Sequence, residues 1–73
     1  MWFADMAAAC GLKVKGLYTM KEVACVTGVP YQTLQEERMR GRLKGFLPEG
    51  RTRGWLFKPE WVDEWIEEGT RQA

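Results

Sequence analysis

The sequence predicts a mostly α-helical domain with one small β-hairpin, a helix-turn-helix followed by a basic hairpin and a closing helix. Three observations carry this. Thr19 to Leu43 reads as two short helices around a glycine turn. Two strand-like runs flank a Pro/Gly loop in residues 48–53. A stretch opening on Pro59 has an apolar stripe at helical spacing. With 73 residues, one small domain is expected, and most of its four Trp, three Phe and two Tyr must serve the core.

The first helix of the pair starts at Thr19. Thr19 and Glu22 have the T-x-x-E spacing of a capping box, in which hydroxyl and carboxylate satisfy amides that a helix start leaves open. Leu17 and Tyr18 precede it and are placed to staple that start. Val23, Ala24 and Val26 form a small apolar face, and Cys25 is read as a small buried hydrophobe. Thr27-Gly28-Val29 is the turn, with Gly28 free to take the left-handed conformation of a helix end. Pro30 suits the first position of the next helix, expected over 30–40, with Gly41 ending it. Leu34 is its main inward residue. Gln32, Gln35, Glu36 and Met39 face outward, with Tyr31 and Thr33 near its start.

Residues 42–47 and 54–58 read as the strands of a hairpin whose tip carries Arg51 and Arg53. A basic hairpin after a helix-turn-helix is a wing, an element that lies beside a duplex. The last helix begins at Pro59, with Glu60, Asp63 and Glu64 near the positive end of its dipole. Trp61, Val62, Trp65 and Ile66 form its apolar stripe, the two Trp are read as core, and Gly69 is expected to close it. Upstream, Trp2, Phe3 and Met6 fit one face of a short helix, read as docking on the core or as a dimer contact. Leu12 to Lys15 alternates like a short strand. The organisation is an arm or short helix over 1–16, a winged helix-turn-helix over 17–69 and a frayed end over 70–73.

Charge is uneven. Residues 31–54 hold six Lys/Arg against Glu36, Glu37 and Glu49; residues 58–73 hold Lys58 and Arg71 against five carboxylates. A basic middle suits a polyanion and an acidic tail suits solvent or a partner. Two cysteines and no His provide neither a disulfide scaffold nor a zinc site, and fit a reducing cytoplasm. Ala7-Ala8-Ala9-Cys10 imitates a lipidation site, but Asp5 precedes it and no Lys or Arg does, so no export is expected. No stretch has the length of a membrane span. Without His or Ser, and with no phosphate-binding glycine loop, the chain is expected not to be an enzyme and to need no cofactor.

Seven pieces stand in order: Tyr18-Thr19, Lys21-Glu22-Val23-Ala24, Gly28-Val29, Thr33-Leu34, Gly41-Arg42-Leu43, Gly54-Trp55-Leu56-Phe57, and Pro59-Glu60 with Val62 and Trp65. Together they make the chain resemble the excisionase-like and MerR-like winged-helix families from about Leu17 to Glu68. The resemblance implies a small bacterial or phage-encoded cytoplasmic DNA-binding protein. Excisionases are architectural factors that bend DNA beside a recombination site and direct an integrase towards excision; many also regulate transcription. By position, Tyr31, Gln32, Thr33 and Gln35 match the major-groove face of the second helix. Arg51, Thr52 and Arg53 match the wing contacts, and Lys21 matches a position near the DNA backbone. Arg38, Arg40, Arg42 and Lys44 add cations.

The chain departs from the family at Pro30, where a small hydroxyl residue is usual. It departs again at Glu36, Glu37 and Arg38, where bulky apolar or basic residues are usual. Either Glu36 accepts a hydrogen bond from a cytosine amine, or both carboxylates stay solvated and weaken binding. The implied partners are double-stranded DNA and, beyond it, an integrase or recombinase or further copies of the chain. The alternative is a protein-interaction module of a phage or regulatory complex, docking through Trp2, Phe3 and the acidic closing helix.

Overall fold

The computed structural model describes residues 3–72. It is mostly helical, with four helices and one two-stranded antiparallel sheet among those residues: α1 (Phe3–Ala9), β1 (Tyr18–Thr19), α2 (Met20–Thr27), α3 (Tyr31–Met39), β2 (Leu56–Phe57) and α4 (Pro59–Gln72).

Local chemistry sets α2. The Thr19 hydroxyl accepts from the Glu22 amide at 3.2 Å, and the Glu22 carboxylate accepts from the Thr19 amide at 2.9 Å, so the capping box is complete. Tyr18, just before the cap, and Val23, four residues after it, are both fully buried, the pairing of a hydrophobic staple. Gly28 ends the helix at φ 76°, donating its amide to the Ala24 carbonyl at 2.9 Å. A side chain there would carry the steric cost of the left-handed region. Pro30 stands outside α3 as its cap, one residue earlier than the expected helical position. Its carbonyl accepts from the Leu34 amide at 3.1 Å, and it offers no side-chain cap.

The sheet pairs Tyr18 with Phe57 and Thr19 with Leu56. The expected hairpin is reduced to a single bridge between Phe46 and Leu56, with N–H···O distances of 2.7 and 2.8 Å. The start of the 42–47 run is used elsewhere: the Arg42 and Leu43 amides turn back onto the Glu37 carbonyl at the end of α3. Gly45 lets this segment cross β2 closely. A Cβ at Gly45 would lie 2.9 Å from Phe57 Cε1 and 3.0 Å from Trp55 Cε3. Residues 12–15 form no strand; the Lys15 amide instead donates to the Tyr18 hydroxyl at 3.2 Å, holding a loop.

The core is Phe3, Ala7, Tyr18, Met20, Val23, Leu34, Leu43, Phe57 and Val62, drawn from every element. Phe3 meets Tyr18 edge-to-face at 5.1 Å between centroids, and its amide donates to the Asp63 carboxylate at 2.6 Å, tying α1 to α4. The docking reading of α1 therefore holds for Phe3. Its side chain is buried inside the molecule and is not free for a partner. Met1 and Trp2 lie outside the described residues.

Three other expectations change. Cys25 is exposed, because α2 turns Met20 and Val23 inward and position 25 falls on the opposite face. Trp65 packs against the core, whereas Trp61 is only half-buried and carries Lys58 over its ring at 5.5 Å. Gly69 does not close α4, which runs on to Gln72, with the Thr70 hydroxyl donating to the Ile66 carbonyl. Among the described residues no helix is long and apolar enough to cross a membrane.

Candidate nucleic-acid interface

α3 buries only Leu34. Two turns of mostly polar exposed residues therefore show on its outer side. Gln32, Gln35, Glu36 and Met39, at i, i+3, i+4 and i+7, share one stripe, and all four are exposed. Tyr31 is half exposed at the start of the helix, with Thr33 exposed beside it.

Beside this helix lies a concavity of ≈ 320 Å³. Three segments line it: Thr19, Met20 and Lys21 at the start of α2, Tyr31 and Gln35 from α3, and Thr52, Arg53, Gly54 and Trp55 from the loop that leads into β2. Five sequence-predicted residues, Lys21, Tyr31, Gln35, Thr52 and Arg53, thus line one surface. Each is exposed. Their convergence follows from the sheet. β1 delivers the start of α2, and β2, hydrogen-bonded to it, delivers the end of the basic loop. The Arg51 guanidinium folds back over Gly54, 3.2 Å from where a Cβ would stand.

Not every predicted cation belongs to this surface. Arg38 is half-buried and stacks its guanidinium on Trp55 at 4.1 Å, and its Nε is buried without a hydrogen-bond partner. It braces α3 against the loop through this stacking. Arg42 pairs through Nε with Glu37 at 3.3 Å. Glu37 also accepts from the Trp65 indole at 2.9 Å, which fastens α3 to α4. Glu37 therefore faces away from the polar stripe, while Glu36 lies on it. Arg40 is exposed just past the end of α3. Lys44 lies 4.0 Å from Glu64, both well exposed.

Sequence reasoning missed Trp55 as a wall of the concavity. The alternation of Trp55 with Phe57 along the incoming strand shows a shared side, but nothing local pairs Trp55 with Arg38. Thr19 and Met20 were also missed as lining residues, because each has an evident structural task in the cap and core.

On the other side of α3 is an apolar groove of ≈ 350 Å³, lined by Met6, Val26, Val29, Trp65 and Ile66 among others. Ile66 is the most exposed large apolar residue of α4.

No family model, curated protein or solved structure matches the chain.

Proposed function

We propose that the chain is a winged helix-turn-helix protein that binds duplex DNA. In this reading α2 and α3 are the helix-turn-helix, α3 enters the major groove, and the loop carrying Arg51, Thr52 and Arg53 is the wing on the adjacent backbone or minor groove. One observation carries it. Lys21, Tyr31, Gln35, Thr52 and Arg53, from three separate segments, line one concave surface beside the exposed stripe of α3. Cations supply phosphate contacts, and Gln, Thr and Tyr supply hydrogen bonds to bases and backbone. A role as an excisionase-like architectural factor or a small transcriptional regulator fits so small a footprint. Partners would then be an integrase or recombinase, or further copies of the chain on neighbouring sites. The reading includes no catalytic step and places the protein in the bacterial cytoplasm.

The test is fluorescence anisotropy with a labelled mixed-sequence duplex over a series of salt concentrations. Non-specific binding of about 10⁻⁴ to 10⁻⁶ M is expected, falling as salt rises. Replacing Arg51 and Arg53 together by Ala should weaken all duplexes alike and flatten the slope by about 0.9 for each phosphate that the variant no longer neutralises. Unchanged affinity and slope would remove the loop from the interface.

The apolar groove favours a second reading, a protein-interaction module that docks through Trp65, Ile66 and the acidic α4. Binding without salt dependence, or no DNA binding by a folded protein, would favour it.

A further inference from the structure

We infer that Glu36 is a base-reading residue, and that the DNA this site takes carries a C·G pair under the middle of α3. This rests on the duplex-binding reading above and names the sequence class it would select.

The structure separates two adjacent carboxylates that look alike in sequence. Glu37 is committed to the Trp65 indole and Arg42. Glu36 is exposed, and among the described residues its side chain makes no hydrogen bond or ion pair. Arg40 stands four residues on, in the orientation that favours a helical ion pair, yet the pair is not formed. The Glu36 side chain therefore makes no polar contact that fastens this fold among the described residues. It sits on the α3 stripe between Gln32 and Met39 and next to Gln35, the face that approaches the groove floor if α3 docks.

Chemistry narrows what it meets there. A carboxylate only accepts hydrogen bonds, and phosphates repel it. In the major groove the base-edge donors are the N4 amine of cytosine and the N6 amine of adenine. Glutamine pairs bidentately with adenine and acidic side chains accept from cytosine. With glutamines already at positions 32 and 35, the acidic member of the stripe is assigned to cytosine, and exposed Met39 supplies an apolar contact of the kind a thymine methyl accepts.

Two effects of opposite sign follow for Glu36→Gln. Removing the charge strengthens binding to duplexes in general, and removing the acceptor-only group erases the cytosine preference. A merely solvated Glu36 would give the first effect without the second.

The experiment selects bound sequences from a duplex library randomised over about ten base pairs, roughly one helical turn, with wild-type protein and Glu36→Gln in parallel, each checked for folding by its melting curve. Wild type is expected to favour cytosine at one position by roughly 5- to 150-fold, the range of one good base contact. Glu36→Gln should lose that preference or move it to adenine while retaining more of the unselected library. An unchanged preference in Glu36→Gln, or a wild type that binds duplex with no cytosine preference, overturns the assignment and leaves DNA binding intact. A folded wild type that retains no duplex even at low salt overturns the binding reading and the assignment with it.

Discussion

Removing the Glu37 carboxylate is expected to unfasten α3 from α4. Its side chain is only 14% exposed. It accepts from the half-buried Trp65 indole at 2.9 Å and pairs with Arg42 Nε at 3.3 Å. A hydrogen bond to a charged group contributes about 1.5–3 kcal/mol, and an indole N–H left without an acceptor adds to the loss. The Arg42 side chain is 46% exposed, so solvent screens that pair to roughly 0–1 kcal/mol. Glu37→Ala should therefore cost about 2–4 kcal/mol. A domain of 73 residues has roughly 4–11 kcal/mol in total. At roughly 4–8 °C per kcal/mol for this size, the melting temperature should fall by roughly 8–32 °C. Glu37→Gln keeps an oxygen for the indole and should lose only about 1 kcal/mol. Arg42→Ala should fall near the surface-pair range. The assay is thermal unfolding by circular dichroism, backed by urea titration. If Glu37→Ala melts within about 3 °C of wild type, the Glu37–Trp65 contact is not what joins the two helices.

Other outcomes follow from the same structure. Gly45→Ala should destabilise by about 1–3 kcal/mol through overpacking, since its Cβ would meet Phe57 and Trp55 at 2.9 and 3.0 Å; a neutral melt would refute that close crossing. Gly69→Ala should stabilise by roughly 0.5–1 kcal/mol, because it lies inside α4 with nothing within 4 Å of a new Cβ; a loss would mean the groove beside it is filled. The Lys15 ammonium, then the Thr19 amide, hold the Glu22 carboxyl below the ordinary value of 4.5. The folded form thus favours the carboxylate, so its contribution is complete above pH 4.5 and fades as the pH falls through the lowered value. The stability gap between wild type and Glu22→Gln should narrow on acidification. A gap that stays constant to low pH would show that the capping box and Lys15 do not act through this charge.

The fold was legible where a few neighbouring residues decide the outcome. Thr19 and Glu22 cap α2 within one turn, Gly28 ends it, and Pro59 opens α4. It was not legible where partners lie far apart in the chain. Nothing near Phe57 indicates that it pairs with Tyr18, and nothing near Phe3 indicates that its amide meets Asp63, 60 residues away. The hairpin was over-read because its strand-like pattern is satisfied by one bridge, while Arg42 and Leu43 are drawn back to α3. The candidate site followed the same division. The polar stripe of α3 is a local periodicity and could be read. The diversion of Arg38 to Trp55 and of Glu37 to Trp65 depends on packing, which the local run Glu36-Glu37-Arg38 does not reveal. Gly69 resembled a helix stop because position, not neighbours, suggested it, and α4 simply continues through it.

The central claim is that one surface, built from the start of α2, the outer side of α3 and the basic loop, holds duplex DNA. An amide NMR titration of the folded protein with a short mixed-sequence duplex, at low and then moderate salt, tests it most directly. Shifts should cluster at Lys21, Tyr31 to Glu36 and Arg51 to Gly54, and fade as salt rises. A spectrum that does not move at low salt, or that moves instead around Val26, Val29 and Ile66, would contradict the claim and turn attention to the apolar groove.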